Sequence, residues 1–364
     1  MLALKKHPKD QMTPKERSEA IKNNQPFDRL PVSLFATEIK ARMIDCKMRD
    51  LYKNVDRIVE AEVYVFNTYG SDGLSSGPNS YGIAEALGAN VTYPKDNIPR
   101  IEEAVIEDYS QLTEMNLIDV INEAPIQIYL EATERLSALA EGITGVGVSI
   151  GGPLTIAAYL RDTTQLMKDF IKKPDQAEEL LDRVVQAQKK CVDAFLEYDV
   201  SFSLGDPIAS PAIISPRQFE KFAKPYLAEL ADYIYEKTGR GPSLHICGKT
   251  EAIWESIKEL NISAFSLDNE VDIGEANRFF GDKIAVTGNI PPVDVIYNGS
   301  QEEIEESVRQ CIEKAYDTPA GFVIAPGCNL PISTPIENVG FFMDAARKYG
   351  QYDFLEKLDS NRGK

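Results

Sequence analysis

The chain has 364 residues, of which 43% are hydrophobic and 26% charged, the proportions of a folded globular protein and not of a disordered one. Fifty-seven acidic against 39 basic side chains give a formal net charge of -18, a field that repels phosphate backbones and anionic lipid surfaces, so no nucleic-acid partner is expected. No stretch approaches the roughly 20 consecutive apolar residues of a membrane span, and the start MLALKKHPKDQMTPKERSEA lacks the apolar core of a signal peptide; the expected location is the cytoplasm, with no membrane partner.

Residues 1-25 are of mixed charge and are expected to form a partly helical N-terminal extension, leaving residues 26-364 as one domain. Within that domain short β-branched runs recur, each followed by a turn and then a longer segment of helical periodicity. They are PVSLF (31-35), VYVFN (63-67), VGVSI (146-150), VSFSL (200-204), SLHIC (243-247), SAFSL (263-267), IAVTG (284-288) and FVIAP (322-326). Eight strands alternating with helices predict an α/β fold, a single (β/α)8 TIM barrel. Residues 70-100, GSDGLSSGPNSYGIAEALGANVTYPKDNIPR, are long and glycine-rich for a barrel connection and are expected to be a loop excursion that serves as a lid or substrate-binding segment.

Helix signals lie between the runs. Ser215 followed by Pro216 predicts a helix start, and Ser300 with Glu303 forms a capping-box pattern. Five cysteines, an odd and scattered set, argue against a disulfide framework. Cys191 and Cys311 fall on the apolar faces of predicted helices and read as core, and Cys46 reads as structural.

The chemistry of a TIM barrel lies at the carboxyl ends of its strands, and here those ends are polar. The fourth run ends in LGDP with Asp206, the fifth in HICG with His245 and Cys247, the sixth in LDNE with Asp268 and Glu270, the seventh in TGN with Asn289, and the eighth in PGC with Cys328. Residues i and i+2 of a strand share a face, so His245 and Cys247 can aim into the barrel together. Cys328 can join them. One imidazole and two thiolates make a zinc set, and three protein ligands leave the fourth tetrahedral position open, the layout of a catalytic site. The competing reading of His245 is a buried histidine bonded to a carbonyl. Asp206 reads equally as a cap before proline. Asp268 and Glu270 read as solvated loop residues or as a fourth ligand, and Asn289 reads as a partner for loop backbone. Tyr69, Tyr81 and Tyr159 read as wall packing or as pocket lining.

The stretches GDPIASPAIISPRQFEKFAKPYLAEL, LHICGKT, FSLDNEVDI, VTGNIPPVDV and APGCNLPISTPIENV resemble the uroporphyrinogen decarboxylase superfamily, and within it the zinc-dependent, corrinoid-linked methyltransferase branch. The likeness runs from about residue 12 to about residue 350 and is densest after Gly151, where GGPLTIAAYLRD also fits. His-x-Cys with a distant Cys in PGC separates that branch from the decarboxylases, which carry an arginine-containing stretch near the first strand for substrate carboxylates. Here that region reads LPVSLFATEIKARM and has no arginine cluster. The resemblance implies His245, Cys247 and Cys328 as zinc ligands, with Asp268 as a weak fourth. From their places at the polar strand ends, Asp206, Asp268 and Asn289 are the residues expected to be catalytic. The resemblance also implies a corrinoid (cobalamin) supplied by a separate protein partner, and a small-molecule methyl donor or acceptor, an ether or a thiol. The alternatives are decarboxylation of a tetrapyrrole, and a non-enzymatic docking protein whose zinc only stabilises the barrel.

Overall fold

The computed structural model describes residues 2-114 and 119-362. Nine strands occur among them: β1 (Leu74-Ser76), β2 (Val91-Thr92), β3 (Arg100-Ile101), β4 (Val146-Ser149), β5 (Val200-Gly205), β6 (Ser243-Ile246), β7 (Ala264-Leu267), β8 (Ala285-Ile290) and β9 (Phe322-Pro326). Seven of them form one parallel sheet in the order β1-β4-β5-β6-β7-β8-β9. The eighth position is held by a single parallel bridge, Val32 to Ile324, with Ser33 N donating to Ile324 O at 2.9 Å on one side and Asp72 N donating to Val32 O at 2.9 Å on the other. The predicted run 31-35 therefore closes the barrel, although it is too short to count as a strand.

One predicted strand is wrong. VYVFN lies inside a helix, Val55-Tyr69, and the barrel strand that follows it is β1. The run is rich in β-formers, but Ile58, Val59, Glu62, Val63, Phe66 and Tyr69 are all buried at helical spacing. The ends settle it. Asn54 caps the N-terminus by accepting from Arg57 N, and Gly70, at φ +67°, terminates the helix in the left-handed conformation. Residues 70-100 are correspondingly more ordered than a loop: they hold β1, the helix Asn79-Ala86 and the antiparallel pair β2-β3.

Alternation along the strands creates the site. Val146 and Val148, Phe202 and Leu204, Phe265 and Leu267, and Val286 are buried. The intervening Ser149, Ser203, Ser243, Ser266 and Thr287 line a central cavity of about 470 Å³. Barrel interiors are usually filled by Val, Ile and Leu. Here small hydroxyl side chains leave the space open.

The N-terminal end of the barrel is closed by charge. The helix Pro14-Lys22, started by a Thr13-Glu16 capping box, inserts Arg17 with no solvent exposure. Arg17 bonds Asp28 at 2.7 Å and also reaches Asp72; Arg29 bonds Asp10 at 2.7 Å and Asp72 at 2.5 Å; Arg347 bonds Asp10 at 2.9 Å. Burial alone would raise the Asp10 and Asp28 carboxyls, but the guanidinium bonds hold both below the usual range. Three arginines balance three aspartates, and residues 10-28 are thereby fastened to the barrel. His7 is half-buried beside Gly70.

Removing one member of such a buried network strands its partners. Arg17→Met is expected to lower stability by about 3-5 kcal/mol, read as a shifted urea midpoint; a loss within about 0.5 kcal/mol, the range of surface changes, would show that the cluster does not hold the extension in place.

Candidate metal centre at the barrel mouth

His245 sits on β6, Cys247 one residue past its end, and Cys328 two residues past the end of β9. Gly248, at φ +77°, turns the chain away immediately after the pair. Cys247 Sγ lies 3.3 Å from His245 Nε2 and 4.0 Å from Cys328 Sγ. The three donor atoms are all within 4.8 Å of one another. A tetrahedral zinc with bonds of about 2.0-2.3 Å sets its ligands roughly 3.4-3.8 Å apart, so the donor set fits in both chemistry and spacing.

The imidazole is aimed by its other nitrogen. Nδ1 is 3.1 Å from Ser266 O and 3.2 Å from Ser266 Oγ. A carbonyl only accepts, so Nδ1 carries the proton and Nε2 presents its lone pair to the sulfurs. The sequence alternative, a histidine bonded to a carbonyl, is thus true of one nitrogen and leaves the other free. Phe35 packs edge-on to the ring at 5.3 Å.

The two thiols are electrostatically unequal. The hydrogen bond with Cys247 pulls Cys328 down to about 4 against the cost of burial. The same bond, together with burial, pushes Cys247 up. Between the two, the negative charge is favoured on Cys328.

The other expected residues brace this centre. Asp268 does not extend the triad: its Oδ2 accepts from Gly248 N at 2.9 Å and its Oδ1 from Glu270 N at 3.0 Å. Asn289 Nδ2 donates to Asp268 O at 2.8 Å and to Val271 O at 2.7 Å. Glu270 is exposed. Asp206 is fully buried and accepts from Leu154 N at 3.2 Å, Thr155 N at 2.8 Å and Thr155 Oγ1 at 2.6 Å. Its carboxylate holds the first turn of the helix Pro153-Arg161 and makes no side-chain cap on the turn Pro207-Ala209 that follows it, the capping weighed above, and it does not line the cavity.

The cavity brings in residues that the sequence reading missed. Glu38, Lys40, Tyr52, Glu62 and Tyr129 line it beside His245. Glu38 accepts from Tyr52 Oη, and from Asn329 Nδ2 at 2.6 Å. Lys40 pairs with Glu62, whose other oxygen accepts from Ser75 N at 2.8 Å. Tyr81 and Tyr159 stack at 5.0 Å and line the wall, whereas Tyr69 is core. Glu38 and Lys40 lie three and five residues past the first run, just beyond a strand end, which is a readable signal.

Comparison with known proteins gives a consistent picture. The family described as Uroporphyrinogen decarboxylase (URO-D) matches residues 13-349. A methylcobamide:CoM methyltransferase of Methanosarcina barkeri is 28% identical over 241 residues, covering 63% of this chain and 68% of the relative. A uroporphyrinogen decarboxylase of Trichodesmium erythraeum is 25% identical over 312 residues, covering 82% of this chain and 84% of the relative. The solved structure of a methyltransferase from Methanosarcina mazei superposes with a TM-score of 0.82 at 22% identity, covering 93% of this chain and 99% of that one, and shows the same fold.

Burial pushes the Asp206 carboxyl up to about 6 from 3.8, against its hydrogen bonds. The native state therefore binds this proton more tightly than the unfolded chain. That contribution is fully present below about pH 4 and is lost as pH rises through about 6, roughly 3 kcal/mol in all. Asp206→Asn is expected to flatten the stability profile over that window relative to wild type in urea melts at a series of pH values. Parallel profiles would contradict the assignment.

Proposed function

The chain belongs to the uroporphyrinogen decarboxylase family, and on that premise we propose that it is a zinc-dependent methyltransferase moving a methyl group between a small-molecule thiol or methyl ether and the cobalt of a corrinoid carried by a separate protein. In this reading residues 26-364 are the catalytic domain, residues 1-25 its N-terminal extension, and the enzyme acts in the cytoplasm. The observation that carries it is the convergence of His245 Nε2, Cys247 Sγ and Cys328 Sγ on one point at the barrel mouth. Held there, zinc would supply the positive charge that keeps a thiol deprotonated at neutral pH or draws electrons from an ether oxygen.

The chain's own residues do the positioning. Ser266 orients the imidazole, Asp268 clamps the turn at Gly248, and Asn289 fixes the loop that carries Asp268. Asp206 anchors the helix whose Thr155 and Tyr159 face the cavity. The stacked tyrosines and the hydroxyl-lined floor orient a small substrate and limit its hydration.

The cavity argues against tetrapyrrole decarboxylation. A substrate with many carboxylates needs several free cations, and the one lysine among the described lining residues is already paired with Glu62.

Purified protein is expected to carry about one zinc per chain. Cys247→Ser and Cys328→Ser are expected to lose the metal together with methyl transfer from a panel of methyl ethers to cob(I)alamin, and a chelator to abolish transfer in the wild type. Undiminished transfer after zinc has been stripped would refute the proposal.

A further inference from the structure

Glu38 raises a question of charge balance. It is only 6% exposed, yet among the described residues no ion pair reaches it. Its partners, the Tyr52 hydroxyl and the Asn329 amide, are both neutral donors, one to each carboxyl oxygen. Burial and the neighbouring Glu38 carboxylate push the Tyr52 phenol up, which keeps it a donor. Buried charges are ordinarily paired. The missing partner has room, because Glu38 faces the same cavity as His245.

The other charged side chains among the described lining residues, Lys40 and Glu62, are paired with each other. Glu38 remains. It also lies close to the triad: Asn329, which bonds it at 2.6 Å, is the next residue after Cys328, and Phe35, three residues before Glu38, packs on His245. A molecule with sulfur at the triad and a positively charged group a few bonds away places that group at Glu38.

We propose that Glu38 is a specificity-determining carboxylate for a substrate bearing a protonated amine, so that the pocket takes cationic aminothiols and rejects anionic, sulfonate-bearing thiols. This rests on the methyltransferase reading for its use of sulfur. The tyrosine walls suit the same group, since ring faces attract ammonium ions.

The test is anaerobic titration calorimetry of 2-aminoethanethiol, 2-mercaptoethanol and 2-mercaptoethanesulfonate against zinc-free and zinc-loaded protein, wild type and Glu38→Gln. In wild type the aminothiol is expected to bind about tenfold more tightly than the neutral thiol, with the sulfonate weakest, in both metal states. Glu38→Gln is expected to compress the three affinities to within about twofold. The inference falls if the sulfonate binds as tightly as the aminothiol, or if a folded Glu38→Gln keeps the wild-type ranking; the wild-type ranking decides the matter even without a folded variant. If the ranking holds but zinc adds nothing to the affinity of any thiol, the inference stands and the zinc-thiol part of the proposed function fails.

Discussion

The mouth of this barrel depends on one constraint: three donor atoms from two strands far apart in the chain must meet with their lone pairs facing inward. The hydrogen bond from His245 Nδ1 to Ser266 is what satisfies it on the nitrogen side. Without that bond the imidazole could present a proton instead of a lone pair, and two sulfurs alone leave a site one ligand short. The parallel register places His245 opposite Ser266 on the neighbouring strand, so the orientation follows from the sheet itself.

The two ends of the barrel are built on opposite principles. At the N-terminal end, three arginines and three aspartates pair with one another and fasten residues 10-28 to the strands. At the C-terminal end, hydroxyl side chains replace the usual branched aliphatics, leaving open space lined by Glu38, Lys40 and Glu62. Stability is concentrated where there is no chemistry, and the mouth is left with polar groups whose charges are only partly matched.

Much of this was legible in the sequence because it is governed by short periods. Seven of the eight β-branched runs lie on the barrel, and the spacing of two between His245 and Cys247 gave their shared face. VYVFN failed because β-branched and aromatic residues also suit the buried stripe of a helix, and the deciding signals were its ends, Asn54 and Gly70. That misreading also hid Glu62, which precedes the run by one residue. The carboxylates were legible as polar strand ends but not as to role: whether Asp206 or Asp268 bonds backbone amides or faces a cavity depends on contacts with residues 51 and 20 positions away. Glu38 escaped notice because its significance is the lack of a cation nearby, and a linear sequence cannot display that.

The account's central claim is that His245, Cys247 and Cys328 bind one zinc ion together. Zinc-edge X-ray absorption on protein reconstituted with one equivalent of metal tests it most directly. The account predicts a first shell with two sulfurs at about 2.3 Å and one nitrogen at about 2.0-2.1 Å. A shell of oxygen and nitrogen without sulfur would contradict it.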